Sequence, residues 1–534
     1  MRLSQLLITR SASASNDDND LLERAGYTHR LADGLYTLLP LGHRVLQRIS
    51  AIVREELDRA GAQEVAMPLL QPASLWERRA GVFGPQLFRV EGENDERLVL
   101  APTHEEVATI VASACIHESR DLPRILYQIQ PRFRDQDAGS RSGLMRTREF
   151  VMADAYSFHA GRESLDETYT AIKNALCAVL ERCGVRIQIV PAGSGAMGGE
   201  ESEELLASFP RAANTMALQC EKCGYAASLE IAECAHSDST EDVLPLEEIP
   251  VPDSLAPARR LTGLPFIAAG RVGLAVMPAN RVLNPAKFAG ALSGHGFNIA
   301  DCHVASAAEL ANLGGTYDWI SIVRTPPAVF VIADESVRAG ANFVLPSPRG
   351  GYFLKNVNGA RDFRVDAFAD ISFAAEGDAC VRCGKQLNAI RGTEAGHIFK
   401  LGHRYSAAFE MGCYGLGVTR LMQTIVEQNR DSRGIVWPKT VAPYIAIIVP
   451  GNVHLAEQLY SSCKELEILL DDSDATTEEK LRRADLLGMP FQITVPEDGS
   501  VVEIRERLST EIHHVHASDV PAFLHDSVPP GRTV

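Results

Sequence analysis

The chain has 534 residues, of which 46% are hydrophobic and 23% charged, and its net charge at pH 7 is −17. This length predicts several domains, since single cores rarely grow past about 250–300 residues, and the lack of any apolar run of about 20 residues predicts no transmembrane helix and no membrane partner. Eleven cysteines are odd in number and too sparse for a disulfide scaffold, which favours a reducing, cytoplasmic location.

The negative total charge does not exclude a nucleic-acid partner, because a local basic stripe decides such binding. Residues 441–534 are nevertheless acidic in themselves, with 7 Lys and Arg against 16 Asp and Glu, which gives 7 − 16 = −9. A nucleic acid bound there would have to be held by few cations. The main candidates are Lys480, Arg482, Arg483, Arg505 and Arg507.

The first long element predicted is an amphipathic helix over His43–Ala60, which Gly61 ends. Its apolar residues recur at helical spacing, namely Val45, Leu46, Ile49, Ile52, Val53 and Leu57. Residues Ala62–Leu70 are predicted to form a strand, with Pro68 near its end. Taken alone, this segment predicts no more than an amphipathic helix before a strand.

A strand, a proline turn and a helix start are predicted over Leu98–Val107. Thr103 and Glu106 stand at capping-box spacing, so the plain structural interpretation of Thr103 is a helix cap. Two arginine-bearing segments follow, Phe133–Gln136 with Arg134 and Met145–Phe150 with Arg148. An arginine offers a planar charged fork suited to phosphate or a purine face, but its usual fate is a surface ion pair.

Two Cys-x-x-Cys knuckles, each followed by glycine, stand at Cys220/Cys223 and Cys380/Cys383. Four thiolates would close a tetrahedral structural zinc site, with backbone N–H groups freed by the glycines pointing at sulfur. A redox pair or four reduced buried thiols are the alternatives. Between the knuckles, strand-like runs occur at Val272–Val276, Ile320–Val323 and Val329–Ala333.

The most informative motif is Met411–Arg420, where Gly412, Gly415 and Gly417 precede Arg420. Glycines let a backbone approach a flat or anionic ligand closely. Downstream, a small α/β unit with a mostly parallel sheet is predicted. Its strands are expected at Ile445–Val449, Ile468–Leu470 and Phe491–Val495, and its helices at His454–Glu465 and Thr477–Leu487.

The two arginine segments and the glycine motif resemble motifs 2 and 3 of the class II aminoacyl-tRNA synthetases, and the surrounding residues resemble the bacterial prolyl-tRNA synthetases. The resemblance implies a multidomain α/β chain with an antiparallel-sheet catalytic domain (1–222 and 384–440). It also implies an α/β editing-like insertion domain (223–383) and a C-terminal α/β anticodon-binding-like domain (441–534). The implied reaction is activation of proline with ATP and Mg²⁺, then transfer to the 3′ end of tRNA-Pro, by a cytoplasmic homodimer.

The resemblance also assigns roles residue by residue. Arg134 and Arg420 would be catalytic and bind ATP, and the other ATP-binding residues would be Gln136, Arg148, Gly415 and Gly417. Thr103 and Glu105 would hold the secondary ammonium of proline. The rest of the proline pocket would be Asp154, Tyr156, Phe158 and His159. Cys220, Cys223, Cys380 and Cys383 would hold a structural Zn²⁺.

Inside the insertion, Gly340–Phe343, Asn356–Asn358 and Arg361–Phe363 resemble the family's alanyl-tRNA hydrolysing domain, and Leu283-Asn284 with Lys287 fits its Leu-Asn-x-x-Lys pattern. The opening stretch Pro252–Leu261 has Arg259 and Arg260 but lacks the family's lysine. Retention of the fold is therefore expected, with weak or absent editing.

Other departures are Gln136 for glutamate, Glu203-Glu204-Leu205 for His-Glu-Phe, and Ser473 for arginine. Several of them fall at positions that face tRNA in the family, whereas the ATP arginines persist. An alternative is therefore a paralogue that passes an aminoacyl-adenylate to a non-tRNA acceptor. A second alternative is a non-catalytic sensor of tRNA or amino acid, which the intact activation arginines disfavour.

Overall fold

The computed structural model describes the chain except residues 9–20, 80–82, 93–95, 137–142, 196, 212–214, 253, 269, 298, 300–301, 307, 310–321, 500, 510 and 528–534. The chain divides into two compact units. The first comprises Met1–Ile189, Ala196–Asn214 and Gly392–Val534, and the second Val190–Gly195 and Thr215–Arg391. Among the described helices, none combines the length and hydrophobicity needed to cross a bilayer.

The core of the first unit is an antiparallel sheet. In spatial order its strands are Glu201–Ser208, the 392–402 part of Asn388–Gly402, Glu410–Gly417, Glu149–His159, Arg124–Phe133 and the short parallel strand Gln63–Glu64. The register aligns Gln128 with Asp154, and Asp154 with Gly415. Gln128, Asp154 and the motif glycine Gly415 therefore share one face of the sheet.

Long helices pack against this sheet at Pro40–Arg59, Arg162–Arg182 and Val418–Asn429. The predicted helix over His43–Ala60 is confirmed, with Pro40 in its first turn and Gly61 at φ +83° just after its end. Its apolar stripe is buried in the unit's largest core.

The predicted strand over Ala62–Leu70 is wrong as one element. It divides into Gln63–Glu64 and the strand Leu70–Pro72, which belongs to a separate three-stranded sheet. Pro68 has no N–H for a ladder, and its carbonyl oxygen lies 2.9 Å from His104 Nε2. The other elements before residue 192 are helices at Leu21–Arg24 and Glu105–Cys115, and strands at Thr28–Ala32, Leu35–Leu38, Arg89–Glu91, Arg97–Leu100 and Gln188–Pro191.

The C-terminal part of the first unit is a five-stranded mixed sheet. Its order is Ile468–Leu470, Ala446–Pro450, Phe491–Val495, Val501–Glu506 and Ile512–His516. The first three strands are parallel, but the last two pair antiparallel, so the prediction of a mostly parallel sheet is wrong for that edge. Short connections join these last strands, and short connections produce antiparallel pairs. Its helices are Val453–Ser462, Thr477–Leu487 and Val520–Ser527.

The second unit contains another five-stranded sheet, ordered His303–Val304, Leu261–Ala268, Arg271–Pro278, Phe330–Asp334 and Ala367–Ala369. Helices lie at Pro285–Gly294 and Glu335–Ala339. The remaining strands are Thr215–Gln219, Ala226–Ser228, Cys234–Ala235, Glu247–Pro250, Phe343–Pro346, Tyr352–Val357 and Ala379–Cys380. The predicted strand over Ile320–Val323 is wrong where it is described: Ile322–Arg324 is a 3₁₀ turn, closed by Thr325 Oγ1 donating to the Ile322 carbonyl oxygen at 3.1 Å.

Candidate functional site

A cavity of about 290 Å³, here called the central cavity, opens on the sheet of the first unit. The predicted residues that line it are Thr103, Glu105, Arg134, Gln136, Asp154, Gly415, Gly417 and Arg420. They come from segments as far apart in sequence as Pro102–Glu105 and the first turn of helix Val418–Asn429. The fold thus gathers in one place most of the residues that the sequence singled out.

Arg134 presents to the central cavity a cation that forms no ion pair with a described carboxylate. Its Nε donates to the Pro102 carbonyl oxygen at 3.2 Å, and its guanidinium carbon lies 5.3 Å from the Phe150 ring centre. Within the described part of the chain, no carboxylate forms an ion pair with it. Burial lowers the pKa of Arg134, opposed by the charge of Asp154 and reinforced by that of Arg420. An anion entering the cavity would restore the missing partner.

Arg420 is held more firmly. Its Nη1 donates to the Glu394 carbonyl oxygen at 2.8 Å and to Glu394 Oε2 at 3.2 Å, and its Nε donates to the Met145 carbonyl oxygen at 3.0 Å. These bonds fix the plane of the guanidinium at the cavity wall. A planar group held in this way can lie against a flat aromatic ligand.

The glycines of the motif lie in strand Glu410–Gly417. A Cβ on Gly415 would come within 3.2 Å of Met152 Cε and 3.5 Å of Asp154 Oδ1. A Cβ on Gly417 would lie 3.2 Å from Arg420 Cβ. Both positions are therefore tightly packed, and the lack of side chains leaves a flat cavity floor.

Thr103 does not cap the following helix. His104 is the N-cap residue and no side chain caps there, whereas Thr103 Oγ1 donates to Glu105 Oε1 at 2.8 Å. Cys413 Sγ also donates to Glu105 Oε1, at 3.4 Å, and burial raises the pKa of Cys413 well above its usual range. The capping-box interpretation is thus wrong, and a fully buried carboxylate faces the cavity.

Asp154 lines the cavity, and its carboxylate is held by Arg132, a residue that the sequence analysis did not single out. The fully buried Arg132 reaches Asp154 Oδ2 with Nη2 at 2.6 Å and with Nε at 2.8 Å. Arg132 lies in strand Arg124–Phe133 and Arg134 follows directly after its end, so an arginine two residues before the predicted site arginine was the available signal. Arg132 fixes the orientation of the Asp154 carboxylate.

The other residues assigned to the proline pocket do not line the central cavity. Phe158 packs edge-on against Phe409, with ring centres 5.9 Å apart, and His159 Nδ1 lies 2.8 Å from Ser164 Oγ. The strand runs on from the cavity into a hydrophobic core, so its later residues are buried there. Tyr156 is fully buried beside that core, with a hydroxyl that bonds no described group.

Gln136 and Arg148 differ in their relation to the cavity. Gln136 lines it and donates from Nε2 to the Thr147 carbonyl oxygen at 2.8 Å. The side chain of Arg148 is 41% exposed and lies 3.4 Å from Asp135 Oδ1, so it stands at the rim. Arg148 does not line the cavity itself, but its Nε donates to the carbonyl oxygen of the lining residue Gln136 at 3.4 Å.

Glu204, Glu394 and His397 form an acidic cluster that the sequence did not single out, with ligand atoms within 4.8 Å of one another. Burial opposes ionisation of Glu394. The hydrogen bond to His397 and the charges of Arg420 and Arg134 outweigh it and lower the pKa of Glu394 to about 2. The cluster is thus a negative site beside the two arginines.

The four knuckle cysteines meet in the second unit. Cys220 Sγ lies 3.4 Å from Cys383 Sγ, and Cys223 Sγ lies 3.6 Å from Cys380 Sγ. These separations are far from the ~2 Å of a disulfide and near the ~3.8 Å between thiolates on a tetrahedral zinc with 2.3 Å bonds. The donors present therefore fit a Zn²⁺ ion.

The two knuckles have the same backbone. Gly224 and Gly384 take φ of +72° and +71°, and their N–H groups donate to the Cys220 and Cys380 carbonyl oxygens. The glycine N–H groups therefore close the turns, and other backbone N–H groups of the knuckles point at sulfur as predicted: the N–H of Arg382 donates to Cys380 Sγ at 3.4 Å. The backbone N–H of Cys223 makes the largest contribution to lowering the pKa of Cys220, which falls to about 7.

The residues that resemble editing-domain motifs form mainly structural hydrogen bonds and ion pairs within the second unit. Asn284 caps helix Pro285–Gly294, and Lys287 Nζ pairs with Asp370 Oδ2 at 2.7 Å. Asn342 adopts φ +57°, and its N–H donates to Asn358 Oδ1 at 3.0 Å. Arg259 donates to the carboxylate of Glu241 and to the carbonyl oxygen of Ala341.

Most of the cationic side chains predicted as nucleic-acid contacts in residues 441–534 are buried or form ion pairs within the protein. Lys480 and Arg507 are buried, with Arg507 paired to Asp431 at 2.6 Å. Arg483 pairs with the fully buried Asp471, and Arg505 with Asp485. Of the five predicted candidates, Arg482 has the most exposed side chain, at 69%.

Comparison with known proteins agrees with this organisation. Residues 88–429 match the family model of the tRNA synthetase class II core domain (G, H, P, S and T). Residues 444–527 match that of the anticodon binding domain.

Curated relatives match along almost the whole chain. A proline–tRNA ligase of Thermoanaerobacter sp. (strain X514) is 39% identical, with 97% of this chain and 98% of the relative covered. One from Dehalococcoides mccartyi (strain BAV1) is 38% identical, with 91% and 90% covered. The structure of Giardia lamblia prolyl-tRNA synthetase in complex with prolyl-adenylate aligns with a TM-score of 0.54 at 14% identity, covering 94% of this chain and 74% of that one. The expected fold class is confirmed.

Proposed function

The chain belongs to the class II prolyl-tRNA synthetases of bacterial type, and we propose how its own residues carry out the reaction of that family. It is an ATP-dependent ligase that activates proline and joins it to tRNA. Activation forms a bond between a proline carboxylate oxygen and the α-phosphorus of ATP, and pyrophosphate leaves. Two anions must approach each other, so the site must supply positive charge.

We assign Arg134 as the residue that supplies this positive charge. Its guanidinium would bind the α-phosphate and the proline carboxylate together, because it faces the cavity without a carboxylate partner among the described residues. Arg420, fixed by Glu394 and Met145, would lie against the adenine and the γ-phosphate. The flat floor at Gly415 and Gly417 would admit the nucleotide.

Glu105 and Thr103 would hold the secondary ammonium of proline. A buried carboxylate opposite an ammonium gives a charge-assisted hydrogen bond, the strong kind. Asp154, fixed by Arg132, adds a second carboxylate at the floor. The transfer step would then join the tRNA 3′-terminal hydroxyl to the proline carbonyl carbon as AMP leaves.

Glu394 with Glu204 would hold the Mg²⁺ of ATP. Oxygen ligands suit this cation, and Glu394 is ionised at neutral pH. When bound, the ion offsets charge on the phosphates. Zn²⁺ is assigned separately to the four cysteines of the second unit, as a structural ion.

The observation that carries this assignment is Arg134, which lines the cavity with Glu105 and forms no ion pair with a described carboxylate. The test is proline-dependent ATP–pyrophosphate exchange measured together with aminoacylation of tRNA-Pro by the same preparation. Activity in both supports the assignment. Exchange without aminoacylation would favour a paralogue with a non-tRNA acceptor, a candidate that the internally paired C-terminal cations favour. Absence of both would favour a non-catalytic sensor.

Dimer formation, cytoplasmic location and the four domain segments 1–222, 223–383, 384–440 and 441–534 remain part of the proposal. The family resemblance of helix Pro40–Arg59 to the dimer-forming motif 1 supports a homodimer. Sedimentation of the purified chain at twice its monomer mass is the expected result.

We expect weak or absent hydrolysis of alanyl-tRNA-Pro by the insertion. Arg259, the nearest replacement for the missing lysine, is engaged by Glu241 and the Ala341 carbonyl oxygen. A stiff fork held in this way does not replace a mobile lysine point charge. The measurement is deacylation of pre-formed alanyl-tRNA-Pro by the purified enzyme. Brisk hydrolysis that survives Arg134→Ala, and is therefore independent of the synthetic site, would contradict this prediction.

A further inference from the structure

Arg79 forms a buried ion pair with two adjacent carboxylates at the edge of the central cavity. Its Nη1 lies 3.3 Å from Glu105 Oε2 and 3.0 Å from Glu106 Oε1. The side chain of Arg79 is 7% exposed and that of Glu105 is 1% exposed. One guanidinium therefore serves two carboxylates in a place where water screens their repulsion poorly.

Aromatic rings surround the guanidinium of Arg79. Its central carbon lies 4.4 Å from the ring centre of Phe83, 5.4 Å from that of Tyr405 and 5.5 Å from that of Trp76. Nη2 also donates to Met197 Sδ at 3.3 Å. A flat delocalised cation fits such a setting, whereas a lysine ammonium would lose most of these contacts.

The two oxygens of Glu105 have separate partners. Oε2 faces Arg79, whereas Oε1 accepts from Thr103 and Cys413. Glu105 lines the central cavity, while Arg79 and Glu106 line a neighbouring cavity of about 450 Å³. Arg79 thus contacts the carboxylate from behind and leaves its front open to the central cavity.

We propose that Arg79 is a positioning residue for proline: it orients Glu105 so that this carboxylate can accept from the secondary ammonium. The inference rests on the proposed role of Glu105 and goes beyond it, because nothing in the family resemblance assigns Arg79.

Without the Arg79 guanidinium, the carboxylates of Glu105 and Glu106 would lie close together with no cation between them. Two adjacent buried carboxylates disfavour double ionisation, so one of them takes up a proton. Burial, followed by the charge of Glu105, already raises the pKa of Glu106 even with Arg79 in place. Among the described residues, the other titratable or charged groups near this pair are Cys413, Tyr405, Tyr156, Arg134, Asp154 and, in the neighbouring cavity, Arg404.

Loss of Arg79 should therefore weaken proline binding in a pH-dependent manner. A proton taken up by the pair removes one of the two negative charges that attract the ammonium, and raising the pH restores it. The proline ammonium itself stays charged over this range. For each pH unit by which the pKa of a carboxyl group exceeds the working pH, the ionised fraction of that group falls about tenfold.

The experiment compares Arg79→Met and Arg79→Lys with the native chain in pyrophosphate exchange from mildly acidic to mildly alkaline pH. For Arg79→Met we expect the KM for proline at neutral pH to rise on the order of tenfold or more. It should fall again as the pH rises, with kcat and the KM for ATP changing less. Arg79→Lys should lie between the two. Arg404→Met, which alters an exposed arginine of the same neighbouring cavity, is the matched control.

An unchanged KM for proline in Arg79→Met, or a rise equal at every pH, would overturn the proposal. If Arg79→Met fails to fold, the pH slope of the KM in Arg79→Lys decides the matter. Glu105→Gln tests the proposed function of Glu105 separately from the positioning role of Arg79. If it leaves proline activation intact, the proposed function of Glu105 fails. If it impairs activation while the Arg79 variants do not, only the positioning role fails.

Discussion

Arg134→Ala is expected to lower the rate of proline-dependent ATP–pyrophosphate exchange by about 10²–10³-fold, as loss of one preorganised charge-stabilising group does. The reason is that the Arg134 guanidinium faces the central cavity with no carboxylate partner among the described residues. Its loss leaves the approach of carboxylate to α-phosphate without local compensation. Arg134→Lys should recover part of the rate, because it restores the charge but not the fork.

Arg124→Ala is the matched control for this variant. Arg124 begins the strand that ends just before Arg134, is exposed, and its side chain donates to the carbonyl oxygen of Pro123. It should exchange at the native rate, and both variants should show the native thermal unfolding midpoint. Native exchange by Arg134→Ala would remove Arg134 from the mechanism.

Serine at any one of Cys220, Cys223, Cys380 or Cys383 is expected to lower bound zinc from about one ion per chain to far less and to destabilise the second unit. Structural zinc contributes about 10–16 kcal/mol to folding in small zinc domains at pH 7, so this effect should exceed that of an ordinary core substitution. Metal analysis of reduced, chelator-free protein and thermal unfolding are the measurements.

Cys234→Ser is the control for the zinc prediction. Cys234 lies opposite Cys380 in a strand pair, yet its sulfur lies 3.6 Å from His236 Nε2 and outside the cluster of four. This variant should keep its zinc. Native protein that contains no zinc when purified in reduced form, without chelators, would refute the assignment.

Local patterns in the sequence were enough to predict the family, the fold class and many elements. The stripe of Val45, Ile49 and Val53 determines one face of a helix whatever lies opposite. The two Cys-x-x-Cys knuckles at Cys220 and Cys380 could be recognised from local thiol spacing, whereas their meeting in one cluster was decided by tertiary structure. The same holds for the helix Thr477–Leu487, whose capping residues Thr476 and Glu479 lie in its own sequence.

Tertiary structure decided what depends on distant partners. The carboxylate of Glu105 is held by Arg79 and Cys413, which are distant in sequence, and Thr103 donates to this carboxylate instead of capping a helix. How far along strand Glu149–His159 the cavity extends depends on where the hydrophobic core begins, so Asp154 lines it and Phe158 does not.

The assignment of charges was likewise a matter of tertiary structure. The sequence identified Arg134 as a cation of the site, but its freedom from a carboxylate follows from the surroundings that the fold supplies. Arg483, Arg505 and Arg507 looked equally available in the sequence, yet each is paired with an aspartate across the fold. An arginine's residue type gives its charge, whereas the partners that neutralise it come from other segments, and no local pattern specifies them.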